Sequence, residues 1–435
     1  MDIPPEILPH VAALWRAVRS EGAFASSAMA QWFEAEEFEP EERALGRRLL
    51  FTMLRLERRA EMAWQKSGAR LRPSPEQLLM ATLMLAGDLS PGEAAQEDPA
   101  VDWAALVAAD GELAHTADPA RRMAVRHGLP DWLAHRLVRE FGDAAPALVA
   151  SLDQDAPRTL RANTLKTTRE ALRARLHERG LTAVPTAHAQ AGLTVTAGGD
   201  LFGLHEFQDG WFEVQDEASQ LVAELVAPPP GGVVVDLCAG AGGKSLALAA
   251  LLGGSGRVFA LDVAERKLTE LRRRARRAGA HDVQAIAITA AAWPPEVAAL
   301  AGKAHRVLVD APCSGLGILR RNPELRFRLE RDDLPRLRQQ QLELLTRALP
   351  LVAPRGRLIY ATCSLLAEEN QELVAAFLAA HPELETVRAA EIWGSARAAP
   401  LCDASGTFLS TRPDRGGMDG FFAAVLRRKR APEAG

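Results

Sequence analysis

Apolar residues in the first third of the chain recur at helical spacing. Between Arg47 and Trp64, Leu49, Leu50, Met53, Leu54, Leu56 and Trp64 are separated by Arg and Glu in a period near 3.6. Pro75 to Ala86 repeats the pattern behind Pro73 and Pro75, and Pro130 to Phe141 forms a third amphipathic stretch ending near Gly142. Residues 1–150 carry no strand alternation and no catalytic cluster, so a small all-helical domain is expected there. Residues 151–227 read differently. Short strands are expected at Pro157 to Thr164 and Leu193 to Thr196, a helix from Arg169 to Arg179 with Gly180 as its C-cap, and a run from Phe207 to Ser219 leading into a helix. This is a small α+β module. Pro228, Pro229, Pro230, Gly231 and Gly232 mark the boundary that follows.

Beyond that boundary strand and helix patterns alternate. Strands are expected at Val233–Leu237, Val258–Val263, Val307–Asp310 and Arg357–Ala361. Helices are expected at Lys244–Leu252, Glu265–Ala278, Leu334–Leu349 and Ala367–Ala379. Such alternation specifies an α/β doubly wound, mostly parallel sheet. Gly420 to Leu426 is expected to close it as an antiparallel strand. The third domain is therefore 228–430, with 431–435 as a tail.

Composition narrows the class. The 435 residues are 48% hydrophobic and 25% charged, which excludes a disordered tail protein, a collagen and a coiled-coil rod. Four cysteines exclude a disulfide-stapled scaffold and fit a reducing compartment. Met1 to His10 holds two acids and no Lys or Arg, and no apolar run approaches the 18 residues of a membrane span, so a cytoplasmic protein is expected. The formal net charge of −4 hides an asymmetry: residues 1–150 hold 16 Lys+Arg against 23 Asp+Glu, and the remainder carries a slight positive excess. Only six of the 52 basic residues are Lys.

Chemistry concentrates at strand ends. VVVDLCAGAGGKS (233–245) runs from a buried strand through a glycine-rich turn into a helix, whose first N–H groups face a ligand. It misses the P-loop, which needs Gly where Cys238 stands, and the dinucleotide loop, which needs Gly where Ser245 stands. Asp262 lies 20 residues after Gly242, where ribose hydroxyls are held in such folds; it also suits the N-cap of the following helix. VLVDAPCSGLG (307–317) places Asp310 and Cys313 after a strand, and LIYATCSLLAEEN (358–370) places Cys363 after another. Gly242, Asp262, Asp310, Cys313 and Cys363 are expected to converge on one sheet edge. No C-x-x-C pair and no neighbouring His supports zinc, and no metal is expected.

These segments resemble the RsmB/Nop/Sun family of RNA (cytosine-5) methyltransferases. CAGAGGK (238–244) is similar to the family's cofactor loop, DAPCSG (310–315) to its first cysteine motif, and ATCS (361–364) with Glu369 and Asn370 to its second. LRANTLK (160–166), VQDEASQ (214–220) and DGFFAAVLRRK (419–429) fit as well, so the resemblance is strong over about 157–430. Residues 1–150 resemble, more weakly, the NusB-like helical domain of the bacterial ribosomal-RNA enzymes. The resemblance implies a Rossmann-like class I methyltransferase domain that binds S-adenosylmethionine. Cys238, Ala239, Gly240, Ala241, Gly242, Gly243 and Lys244 would line the methionine portion, Asp262 would hold the ribose, and Ala290 and Asp310 would complete the cofactor wall. It further implies that Cys363 adds to cytosine C6, that Cys313 assists proton loss and product release, and that Asp310 holds the base edge. Lys244 would steer the ligand or lower a thiol pKa.

Two departures stand out. Ala290 occupies the place of the family's adenine-contacting Asp, and Gly-Ala-Gly at 240–242 replaces the commoner Ala-Pro-Gly. Arg320, Arg321 and Arg326 follow Cys313 and are expected to contact RNA, whereas Arg272, Arg273, Arg274, Arg276 and Arg277 read mainly as solvated helix surface with some reach toward phosphate. The expected partner is RNA, ribosomal RNA first, with a single-stranded or looped cytosine; the expected state is a monomer without membrane contact. Alternatives are a transfer-RNA cytosine-5 methyltransferase and a non-catalytic RNA-binding ribosome-assembly factor on the same fold.

Overall fold

In the computed structural model the described residues are 4, 7–35, 39–69, 71–113 and 115–429. The tail at 431–435 lies outside them. The chain divides into two compact units: 1–155 with 319–331, and 156–318 with 332–435.

The first unit is helical, and no strand occurs among its described residues. The 3.6-residue pattern around Arg47–Trp64 extends to one helix, Pro40–Lys66. Its stripe of Leu49, Leu50, Met53 and Leu54 is fully buried with Leu78, Leu79 and Trp103. Helix Pro75–Ala86 begins as its sequence dictates: the Ser74 side chain accepts from the Gln77 N–H, Gln77 reciprocates, and Pro75 sits at the first position. Gly87 ends it with φ of 81°, in the left-handed region that favours glycine.

The contiguous domain expected from sequence is interrupted. Leu319–Arg331 belongs to the helical unit although it follows the Cys313 motif in the chain. It carries a short helix, Leu325–Arg328.

The second unit contains two sheets. The small module pairs β1 (Arg158–Ala162), β2 (Thr182–Pro185), β3 (Gly192–Ala197) and β4 (Phe212–Val214) antiparallel in the order β2-β3-β1-β4. Helix Glu217–Val226 leads out of it, capped by the Asp216 carboxylate on the Ala218 N–H. The larger sheet comprises β5 (Val233–Leu237), β6 (Arg257–Asp262), β7 (Val283–Ala287), β8 (Ala304–Asp310), β9 (Val352–Thr362), β10 (Leu384–Val387), β11 (Leu409–Ser410) and β12 (Phe422–Arg428). Its order is β10-β12-β9-β8-β5-β6-β7, with β11 paired to β12. β5 through β9 pair parallel, and β12 closes against β9 antiparallel, as the terminal GFFAAVL pattern specified.

Strand alternation divides the core between the two faces. Val234, Val258, Leu308 and Ile359 pack with Leu221, Leu225, Leu248 and Leu271 on one side. Val235, Phe259, Val307, Val309 and Tyr360 pack with Leu345 and Phe377 on the other. The chain proceeds from β5 outward to β6 and β7, then returns to place β8 on the opposite flank of β5. That reversal opens a crevice at the carboxyl ends of β5 and β8, the usual ligand position in such sheets.

Candidate active site

The loop after β5 turns sharply. Cys238 has φ of 68°, a left-handed conformation uncommon for a residue with a Cβ, and Gly240 and Gly242 follow with φ of 56° and 87°. At Gly242 no side chain fits, because a Cβ would lie 2.5 Å from Leu271 Cγ. Helix Gly243–Leu252 starts there, with its first N–H groups free of intrahelical partners, as in any helix. Asp262 at the end of β6 braces the turn: Oδ2 accepts from the Gly240 N–H at 2.8 Å and Oδ1 from the Ala264 N–H at 2.8 Å. Asp262 thus braces the loop, but it does not cap the next helix: Glu265–Ala278 has Ala264 at its N-cap and no side-chain capping bond.

An open cleft of about 450 Å³ lies along this edge, lined by Cys238, Asp262, Val263, Ala290, Asp310 and Pro312, with Gln340, Glu343 and Arg347 from helix Asp333–Ala348. Ala290 stands in its wall, and Arg347 of helix Asp333–Ala348 donates to the Ala292 carbonyl, two residues further on, at 2.9 Å. Burial, together with the carboxylates of Asp310, Asp262 and Asp236, pushes the Cys238 thiol far up, which makes it an inert lining group.

The other two strand-end thiols meet. Cys313 Sγ and Cys363 Sγ lie 3.4 Å apart, in contact but unbonded. Contact with Cys363 and burial hold the Cys313 pKa well above the ordinary thiol value. Contact and burial thus disfavour a thiolate at Cys313. Lys244 Nζ donates to Asp310 Oδ2 at 2.7 Å and sits 4.9 Å from the Phe421 ring centre. Burial works against the lysine's charge, yet Asp310 and, more weakly, Cys363 and Asp236 raise its pKa, so it stays an ammonium.

Glu369 ties the two cysteine loops together. Its Oε1 accepts from the Ser314 N–H and from Gln341 Nε2, each at 2.9 Å, and its Oε2 accepts from Ser314 Oγ at 2.5 Å and from Ser364 Oγ. Ser314 and Ser364 follow Cys313 and Cys363 in the chain. Gly317 and Gly420 complete the junction: the Gly317 N–H donates to Cys363 O at 2.8 Å, and a Cβ on Gly317 would come within 2.0 Å of Gly420 O. The pairing of a Cys-Ser step with a second Cys-Ser step, and the Glu-Asn pair after the latter, was the available signal for this brace.

The arginines after Cys313 correct an expectation. Arg326, 1% exposed, donates to Asp153 Oδ1 at 2.9 Å and to the carbonyls of Arg55 and His127 inside the helical unit. A guanidinium committed in this way is not a surface RNA contact. Arg320 is buried as well, and Arg321 is half-buried. Among the helix arginines, Arg274 and Arg277 also depart from a solvated face, since both pair with the buried Glu213.

Among the described residues no three His, Cys, Asp or Glu side chains form a metal-holding group, and no helix is long and apolar enough to cross a membrane.

A glycine-rich loop after the first strand of a switched parallel sheet, with an acid closing the second strand, places the protein in the Rossmann-like α/β class. Residues 223–427 match the 16S rRNA methyltransferase RsmB/F model, and residues 129–201 match the ferredoxin-like domain of RsmF/B-like methyltransferases. The ribosomal RNA small subunit methyltransferase B of Pseudomonas putida (strain KT2440) is 35% identical over 307 residues, 69% of this chain and 67% of that one. The "Probable ribosomal RNA small subunit methyltransferase B" of Bacillus subtilis (strain 168) is 32% identical over 319 residues, covering 72% of this chain and 69% of its own length. The chain belongs to the RsmB/F methyltransferase family. A solved methyltransferase homolog from Pyrococcus horikoshii aligns with TM-score 0.62 and 25% identity over 72% of this chain and all of that one. The solved PH0851 chain shares the fold with TM-score 0.78 at 24% identity, over 98% of this chain and 100% of that one.

Proposed function

We propose that the protein methylates ribosomal RNA at cytosine C5, using S-adenosylmethionine. The observation that carries the reading is the pair of thiols 3.4 Å apart near the Lys244–Asp310 ion pair, whose carboxylate lines the same cleft as Asp262. The residues present fit the cofactor: Cys238 of the glycine-rich loop, a ribose-type carboxylate at Asp262 and an apolar wall of Val263, Ile288 and Pro312 line one cleft. When bound, it supplies an electrophilic methyl group on sulfur.

Cytosine C5 is a poor nucleophile until C6 is saturated. The Cys363 thiolate adds to C6, forming a C–S bond and moving the C5=C6 electron pair onto C5. C5 takes the methyl group and then loses its proton, and the C6–S bond breaks to restore the double bond and return the thiolate. Once the Cys363 sulfur is bound to C6 it no longer raises the Cys313 pKa by contact, so Cys313 releases its own proton to solvent and, as a thiolate, takes the proton lost from C5. Asp310, held by Lys244, is suited to the polar edge of the base. The target base must leave any stack for a thiol to reach C6, which favours single-stranded or looped RNA.

Methyl transfer and covalent capture test this together. Cys363→Ala abolishes transfer, and Cys313→Ala accumulates a protein–RNA adduct that survives a denaturing gel. Full activity of the Cys363 variant defeats the mechanism. Bisulfite mapping of cellular RNA with and without the protein identifies the target. The assembly-factor reading draws on Ala290; it predicts no cofactor binding at millimolar concentration, which equilibrium titration decides.

A further inference from the structure

The cofactor loop has a back as well as a front, and the small α+β module supplies it. Arg161 on β1 is fully buried, and its Nη1 donates to the Gly243 carbonyl at 3.0 Å and to Gln215 Oε1 at 2.9 Å. Arg274, on helix Glu265–Ala278, donates from Nη1 to the Ala241 carbonyl at 2.8 Å. Glu213 on β4, only 3% exposed, lies between them: Oε2 takes Arg274 Nη2 at 2.8 Å, and Oε1 takes Arg277 Nη2 at 2.6 Å. One buried carboxylate thus anchors two guanidiniums and faces the charge of a third, Arg161, whose pKa burial lowers to about 10 despite the Glu213 carboxylate.

Charge-assisted bonds to a carbonyl fix more than the carbonyl. A peptide unit is planar, so holding Ala241 O sets the plane of the Gly242 N–H, and holding Gly243 O sets that of the Lys244 N–H. These are the turn and the first helical turn that a ligand meets. The surrounding motif residues serve the same arrangement. Gln220 Nε2 bonds Leu160 O and Gln215 O, and Gln215 Nε2 bonds Ser219 Oγ, which holds the Gln215 amide against Arg161. The segments LRANTLK and VQDEASQ are otherwise unused by the chemistry.

We infer that Arg161, Glu213 and Arg274 are positioning residues for the cofactor, clamping the carbonyls of Ala241 and Gly243 from behind so that the α+β module is part of the cofactor site. The inference rests on the S-adenosylmethionine reading given above. It predicts an effect on cofactor affinity that is separate from chemistry and from folding.

The experiment compares Arg274→Gln with Arg277→Gln in the full chain. Both remove a partner of Glu213, but Arg277 makes no bond to the loop and instead stacks over Phe207 at 3.9 Å. Calorimetric binding of S-adenosylmethionine, KM, kcat and thermal unfolding are measured for each. Arg274→Gln is expected to raise both Kd and KM about tenfold through the lost charged hydrogen bond, with kcat at saturation changed less than about twofold. Arg277→Gln is expected to change Kd less than about threefold while lowering thermal stability comparably. Arg274→Lys, which keeps the charge, is expected to fall between Arg274→Gln and the parent, and serves where the glutamine variant does not fold. Unchanged affinity in both Arg274 variants overturns the inference, as does equal weakening by Arg277→Gln. A parent protein that binds no S-adenosylmethionine overturns the functional reading instead, so the two failures are distinct.

Discussion

Asp236 is the least comfortable residue at the sheet edge. It lies on β5, wholly buried, on the face shared with Val234 and Leu308. Ser245 Oγ donates to its Oδ2 at 2.6 Å, whereas Oδ1 has no partner. Burial raises its pKa from 3.8 to about 7, the Ser245 bond opposes that, and the carboxylate of Asp310 adds to it. The folded protein therefore holds this proton more tightly than the unfolded chain does. Its contribution is fully present below pH 3.8 and is lost as the pH rises through about 7. At about 1.4 kcal/mol per pH unit the whole span is worth roughly 4 kcal/mol, of which about 3 is lost between pH 5 and pH 8. Asp236→Asn has no proton to hold. Relative to the parent, the variant is expected to gain about 3 kcal/mol in urea-unfolding free energy on going from pH 5 to pH 8. Parallel pH dependences for the two proteins would show that the buried carboxyl does not titrate as described.

Three further substitutions probe the supports of the site. Gly242→Ala forces a Cβ into Leu271 at a φ of 87°, and cofactor affinity by titration is expected to fall about tenfold or more, with about 2 kcal/mol lost in stability. Glu369→Gln turns one acceptor oxygen of the four-bond brace into a donor; kcat is expected to drop by about 10²-fold while cofactor Kd holds within about twofold, as steady-state kinetics and calorimetry will show. Arg326→Met leaves Asp153 without its buried guanidinium, and the helical unit is expected to lose about 3 kcal/mol in denaturant unfolding. The salt slope of RNA binding is expected to be unchanged by it, which a filter-binding series checks.

The chemistry was legible because its residues come in contiguous runs. Cys238 to Lys244, Asp310 to Gly315 and Ala361 to Ser364 each straddle a strand end, and topology brings strand ends together. What lay between runs was not legible. Gln341 reaches Glu369 across 28 residues, and Ser314 reaches it across 55. Glu213 is one acid among 56 Asp+Glu, and no local pattern distinguishes it from a solvated one. Arg326 was not legible for a related reason: it follows Cys313 closely in sequence, yet Leu319–Arg331 belongs to the helical unit, where Arg326 is buried against Asp153. Strand β7 has a half-buried, alanine-containing pattern that carries little hydrophobic signal of its own, and its place follows from the parallel register with β6.

The sheet edge also shows how one fold accommodates four carboxylates near one another. Each is given a different environment. Asp262 accepts backbone N–H groups, Glu369 accepts hydroxyls and amides, Asp236 is buried with a raised pKa, and Asp310 is paired with Lys244. That cation is informative because the chain uses Lys for only six of its 52 basic residues. A guanidinium presents a wide planar fork, whereas an ammonium is a compact point charge that fits beside Asp310, the Phe421 ring and the thiol pair at once. Lys244 stays charged beside the thiol pair, and burial together with contact with Cys363 raises the Cys313 pKa. The proposed reaction needs both a nucleophile and a proton carrier, and this edge places two thiols and one ammonium together for it.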